Sequence, residues 1–276
     1  MMIDNKLNHN QKPLVSVIMS CFNGSKFLKE AIESVINQNY QNWELIFWDN
    51  KSTDSSPVIL KTYNDERIKY FLATEHTSLY TARNLAAEKA TGDFLAFLDC
   101  DDWWNTNFLS SRSVFFNSPE YHFSYSNCNH YFQKKDRFEK FTNKHLDSGF
   151  IFDFLAREYL VKISCFIIRR DIFQKESKFN KNYNIIGDYE YVMRIAEKYK
   201  AFAIQEPLAN IRFHQSNFLD LNRKMFFEEY LNWFLSTDFR NENYKKNKKY
   251  FSRQLLKLRL IRYMPSFLVN ILKKNR

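Results

Sequence analysis

The sequence predicts an α/β fold with a mainly parallel central sheet, and three observations carry that reading. Short runs at 14–19, 44–48 and 94–98 are apolar on both faces, as strands covered by helices on each side must be. Apolar residues at helical spacing lie between these runs. The runs end in polar and acidic residues, and open parallel sheets bind ligands at the carboxyl ends of their strands.

Leu14 to Met19 reads as the first buried strand, and Ser20-Cys21-Phe22-Asn23-Gly24-Ser25 then turns the chain. From Lys26, the apolar positions Leu28, Ile32, Val35 and Ile36 share one helical face. Glu44 to Trp48 is a second strand ending at Asp49, with Ser52-Thr53-Asp54 as a cap or turn. Ile68 to Leu72 is a short third strand. A helix over Ser78 to Ala90 carries Arg83 and Asn84, and Gly92 breaks it. Phe94 to Leu98, the fourth strand, leads into Asp99-Cys100-Asp101-Asp102. Beyond this point the pattern mixes. Strands are expected over Tyr121 to Phe132 and Ile163 to Ile168, and a helix over Asp188 to Tyr199. Extended chain follows over Pro207 to His214, then an aromatic-rich helix over Asn222 to Leu235. The expected division is a polar lead at 1–12, a single domain at 13–220 and a helical basic extension at 221–276.

At 276 residues, 45% hydrophobic and 18% aromatic, the chain can bury a sizeable core and is unlike a disordered one. No stretch approaches the ~18 apolar residues of a membrane-spanning helix. The lead is polar and lacks the apolar centre of a secretion signal. Cys21, Cys100, Cys128 and Cys165 are scattered, as in a reduced cytosolic protein rather than a disulfide framework or zinc site. The net charge of +10 sits in one segment: residues 241–276 hold eleven Lys/Arg and one Glu, while the first 240 hold 30 of each sign. A neutral body argues against a nucleic-acid-binding protein, and the basic extension calls for an anionic partner, a membrane surface ahead of nucleic acid. In the extension Leu, Ile, Phe and Val alternate with Lys and Arg, which suits an interfacial segment; a helix packed on the body is the plainer alternative. The expected location is the cytoplasm, peripherally at the inner face of the cell membrane.

Leu98 to Asp102 is the strongest chemical signal. Carboxylates at i and i+2 of extended chain point to one side, so Asp99 and Asp101 can share a ligand. Their oxygens suit Mn²⁺ or Mg²⁺, which in turn neutralises a diphosphate. A solvated acidic turn has the same residues; the position after a buried strand, with Asp49 ending another, weighs for a site. A dehydrogenase is set aside, because the turn after the first strand holds one Gly where a dinucleotide needs several. Two rivals remain: a nucleotidyltransferase, and a non-catalytic module that keeps its carboxylates for structure.

Five segments, in order, resemble glycosyltransferase family 2: VSVIMSCFNG, WDNKSTD, ARNLAAEKATGDFLAFLDCDD, GDYEYVMRI and IRFHQSN, spanning about Pro13 to Asn217. The resemblance implies a GT-A fold, with a nucleotide-binding half at about 13–103 and an acceptor half at about 104–220. It implies a metal-dependent, inverting sugar transfer from a UDP- or dTDP-sugar to a hydroxyl of a glycan or lipid-linked acceptor, in surface polysaccharide or glycolipid synthesis. By position, Phe22 matches a Tyr that stacks on the base, with Ser20 beside it. Asp49 matches an acid that hydrogen-bonds the base, and Arg83 a basic residue near it. Asp99 resembles the ribose contact. Asp101 is the implied metal ligand, helped by Asp99 and His214, while Asp102 orders the site. Asp188 matches the catalytic base, with Glu190 as a fallback, and Arg212 is the alternative to His214 as a phosphate contact. Each has a plainer reading: Phe22 as core, Asp49 as a turn cap, Arg83 as a surface charge, Asp188 as a helix cap, His214 as structural. The chain departs from the family with Phe22 for Tyr, Lys51 for a common Gly, and Gly187 for the Glu that commonly precedes the Asp. Cys100 fills the variable middle position.

Overall fold

The computed structural model describes residues 12–214 and 222–264. Strands β1 (Val15–Cys21), β2 (Trp43–Asp49), β3 (Ile68–Leu72) and β4 (Phe94–Phe97) pair in parallel in the order β3-β2-β1-β4. Beyond β4 the same sheet becomes mainly antiparallel. There β8 (Phe166–Arg169) pairs with β4 and with β6 (Phe123–Phe132), β9 (Ala201–Phe213) runs parallel to β6, and β5 (Trp103–Trp104) closes the edge. A short strand β7 (Arg137–Lys140) forms a hairpin with β6. The parallel half is the one expected, and the whole sheet is mixed. Ile163–Cys165, expected as strand, is a 3₁₀ turn before β8.

The apolar runs are explained by two cores, one on each face of the sheet. Val15, Val17, Met19, Leu45 and Phe47 pack with helix α1 (Ser25–Ile36). Ile18, Ile46, Trp48, Leu95 and Phe97 face helices α3 (Leu79–Glu88) and α7 (Gly187–Ala196). Between α1 and α3, helix α2 (Ser56–Lys61) follows the turn after β2. Three more short helices, α4 (Ser113–Asn117), α5 (Phe152–Arg157) and α6 (Arg170–Lys175), fill the second half.

One polar residue inside β2 ties the parallel half together. Glu44 is 3% exposed and accepts hydrogen bonds from Ser16 Oγ, Lys69 Nζ, the Thr91 hydroxyl and the Thr91 and Gly92 N–H groups. Burial works against its charge, but these donors hold its carboxyl below the ordinary range.

Two C-terminal helices, α8 (Arg223–Ser236) and α9 (Glu242–Ile261), lie against the α7 face. Phe227, Tyr230 and Trp233 of α8, and Phe251 and Leu258 of α9, belong to the same core as Tyr191 and Ile195 of α7. Among the described residues, no helix is long and apolar enough to cross a membrane.

Candidate active site

The turn after β4 gathers three carboxylates: Asp99, Asp101 and Asp102 each place an oxygen within 4.8 Å of the others. Asp99 is ion-paired with the buried Arg83 guanidinium of α3. Burial pushes the Asp99 carboxyl above its ordinary range, with Arg83 pulling against the shift. Asp101 Oδ2 lies 3.1 Å from His214 Nε2, and the Asp101 carbonyl accepts a 2.9 Å bond from Arg212 Nε. Arg212 is ion-paired with Glu30 of α1 and lies 4.5 Å over the rings of both Phe27 and Trp103. Asp102 turns inward, accepting from Ser164 Oγ at 2.7 Å and from the Arg212 N–H at 2.9 Å. Burial, then the charges of Asp101 and Asp99, push its carboxyl well above the usual range.

This donor set fits a hard divalent cation such as Mn²⁺ or Mg²⁺. Burial, and after it the mutual charge of three carboxylates on one turn, disfavours their ionised forms, and a cation would offset both. Both Asp102 oxygens are engaged, so Asp101 and Asp99 are the residues that would hold it, with His214 alongside. Arg212 is buried beneath this turn, bracing Asp101 and Asp102 rather than offering its guanidinium to a phosphate.

The turns after β1 and β2 are laced together beside it. Asn23, at φ 54°, accepts from the Thr53 and Asp54 N–H groups, and Asp54 accepts from the Ser25 N–H. A Cβ on Gly24 would stand 2.7 and 2.8 Å from the sulfurs of Cys100 and Cys21, so this turn requires glycine. All four cysteines are free thiols. Lys51 occupies the left-handed region at φ 68°, a conformation that favours glycine. Phe22 is 48% exposed and packs against His76 with ring centroids 4.0 Å apart, so it is not a core residue. Ser20 Oγ is buried with no hydrogen-bond partner among the described residues. Asp49 is fully buried: its Oδ1 accepts from the Ser52 N–H at 2.8 Å and its Oδ2 from the Tyr70 hydroxyl at 2.9 Å. Its carboxylate caps the turn; the next residue, Asn50, meets His76, which packs on Phe22.

Asp188 sits in the first turn of α7 and is not its cap, which is Ile186. Its Oδ1 accepts from the Tyr80 hydroxyl of α3 at 2.9 Å; that hydroxyl is also 2.8 Å from the Ile185 carbonyl. The Tyr80 ring fills the space beside Gly187, where a Cβ would lie 2.5 Å from the ring. Tyr80 and Arg83 are three residues apart on α3, so one helix face holds both Asp188 and Asp99. Glu229 of α8 accepts from the N–H groups of Asn184, Ile185 and Ile186, which fixes the loop leading into Asp188. Glu190, the fallback, has its carboxylate held by Arg194 at 2.8 and 3.2 Å, on another side of α7 from Asp188. Sequence reasoning missed Tyr80, His76, Ser164 and Glu229. Only Tyr80 carried a local signal, its i, i+3 spacing from Arg83.

The family model "Glycosyl transferase family 2" matches residues 16–177, more than half of the chain. The chain belongs to glycosyltransferase family 2. Within that family it is 30% identical over 206 residues to the Bacillus subtilis protein TuaG, named for teichuronic acid biosynthesis, covering 74% of this chain and 80% of that one. It is 36% identical over 123 residues to Escherichia coli WfaP, a UDP-Glc:α-D-GlcNAc-diphosphoundecaprenol β-1,3-glucosyltransferase, a match spanning 45% of this chain and 48% of WfaP. The mannosyltransferase PcManGT of Pyrobaculum calidifontis, solved with GDP-Man and Mn²⁺, superposes with a TM-score of 0.65 at 14% identity, over 96% of this chain and 80% of that one. Staphylococcus aureus TarS, solved with UDP-GlcNAc, superposes with a TM-score of 0.60 at 15% identity, over 81% of this chain and 67% of that one. The fold is thus GT-A, and the protein is a glycosyltransferase of polysaccharide or glycolipid synthesis.

Proposed function

We propose that this enzyme transfers a sugar from a UDP- or dTDP-sugar to a hydroxyl of a lipid-linked glycan, with inversion at the anomeric carbon. The observation that carries the reading is the joining of Asp188 to the acidic turn through one face of α3, by way of Tyr80 and Arg83. On this reading the base rests against Phe22 and His76, with the orphaned Ser20 hydroxyl nearby in sequence. Asp99 and Asp101 would hold a Mn²⁺ or Mg²⁺ ion, which would neutralise charge on the departing diphosphate. Asp188 accepts the proton of the acceptor hydroxyl as its oxygen attacks the anomeric carbon opposite the diphosphate. TarS and WfaP, through their UDP-GlcNAc complex and UDP-Glc donor, support a uridine nucleotide. The diphosphoundecaprenol acceptor of WfaP supports a lipid carrier. Such an acceptor would draw the cytoplasmic enzyme to the inner face of a membrane, with the basic extension as its resting surface. The test is UDP release from UDP-glucose in the presence of a GlcNAc-diphosphoryl-lipid acceptor, with and without Mn²⁺. Metal-stimulated transfer giving a β-linked product from an α-linked donor is expected. Retention of configuration, or pyrophosphate as the released group, would sink it.

A further inference from the structure

We infer that the outward face of α9 is a membrane-docking surface for an anionic lipid leaflet, seated with its C-terminal half deepest. The purpose of this surface rests on the lipid-linked acceptor proposed above; its geometry does not. The inward side of α9 is settled by packing, since Asn247, Phe251 and Leu258 lie buried on the body at spacings of four and seven residues.

The opposite side forms a continuous line. Lys249, Arg253, Leu256 and Leu260 follow one another at steps of four, three and four residues, the repeat of a single helical face, and Tyr263 continues the line in the turn just past the end of α9. All five are exposed. The three apolar members are unusually so, with Leu256 at 57%, Leu260 at 61% and Tyr263 at 71%. Lys248 and Arg259 flank this line and are exposed as well. The Arg262 guanidinium lies 4.4 Å from the Phe227 ring and 4.6 Å from the Tyr263 ring, tying the end of the line to the body.

Along the helix the line changes character. Its N-terminal half is cationic and its C-terminal half is apolar, and Glu242 is the one acidic residue of α9. A protein partner with an apolar groove would match the second half alone, and a nucleic acid the first half alone. A bilayer with anionic headgroups matches both at once: headgroup charge attracts Lys249 and Arg253, while Leu256, Leu260 and Tyr263 enter the headgroup–acyl boundary. About 16 Å of helix separates Lys249 from Leu260, so this gradient sets a tilt, with the Tyr263 end innermost.

The experiment is co-sedimentation of the full chain with vesicles of phosphatidylcholine alone and of phosphatidylcholine mixed with phosphatidylglycerol. The wild-type chain should prefer the anionic vesicles by roughly tenfold or more, and salt should weaken that preference. The double variant Leu256→Ser/Leu260→Ser should lower binding about tenfold while its residual binding stays salt-sensitive. The double variant Lys249→Gln/Arg253→Gln should remove most of the preference for phosphatidylglycerol. UDP affinity by calorimetry should be unchanged in both variants, which shows the fold intact and reads the donor proposal separately. Equal binding of wild type to both vesicles would overturn the inference. So would undiminished binding by both variants, or displacement of the chain from anionic vesicles by a short DNA duplex.

Discussion

The reaction turns on a few side chains whose partners decide what each can do. Asp188 is the proposed base, and Asp188→Asn keeps its shape while removing its ability to take a proton at neutral pH. Turnover should fall by about 10²–10⁴-fold with UDP affinity unchanged. Tyr80→Phe keeps the ring beside Gly187 and removes only the hydroxyl that holds Asp188. It should lower kcat about tenfold with little change in donor KM, the scale of one hydrogen bond. Because Tyr80 acts through Asp188, the double variant should be no slower than Asp188→Asn alone; full additivity of the two losses would show that Tyr80 works by another route. Asp101→Ala should abolish Mn²⁺ stimulation of transfer while uridine still binds, since Phe22 and Asp101 sit on different turns. A variant with full activity and unchanged metal dependence would move the cation elsewhere.

Among the elements, β2 shows what the sequence disclosed and what it hid. Its apolar run announced a strand buried on both faces, and the two cores bear that out. Glu44, the first residue of the strand expected at 44–48, is the buried hub for Ser16, Lys69, Thr91 and Gly92. All four partners are distant in sequence or on other strands, so no local pattern could reveal it. Ser164 and Glu229 were hidden for the same reason, as each acts on chain more than 40 residues away. The acidic turn was legible because the i, i+2 spacing and the preceding strand are both local. Glu44→Gln should cost about 2 kcal/mol of stability, read as a lower urea midpoint at neutral pH. The folded chain holds this carboxyl below its ordinary value of 4.5, so its contribution is complete above that pH and is lost as pH falls further. Wild type and Glu44→Gln should therefore converge in stability in acid. A constant difference between them down to the acid transition would assign the effect to packing.

At the level of the whole molecule, the basic C-terminal region is joined to the body more closely than its charge suggests. The helix pair shares the α7 core, and Glu229 holds the loop that presents Asp188. Glu229→Gln should thus lower kcat while UDP affinity survives, because the carboxylate touches neither the acidic turn nor the Phe22 surface. Unchanged turnover would free the loop from any dependence on α8. Cutting the chain near residue 241 would remove Phe251 and Leu258 from that core, so a lower melting temperature is expected alongside any loss of lipid binding. Exposed residues of α9, by contrast, can be exchanged without touching the core.

The Tyr80 ring in the space beside residue 187 also makes these two positions depend on each other. A Cβ at 187 would lie 2.5 Å from the ring, so no side chain fits there while Tyr80 stays. Position 80 must shrink before 187 can grow, and the two substitutions should not be additive. Gly187→Ala on the present sequence should lower the melting temperature by several degrees. On a Tyr80→Ala background the same change should cost little, and equal losses on both backgrounds would show that something other than the ring excludes a side chain.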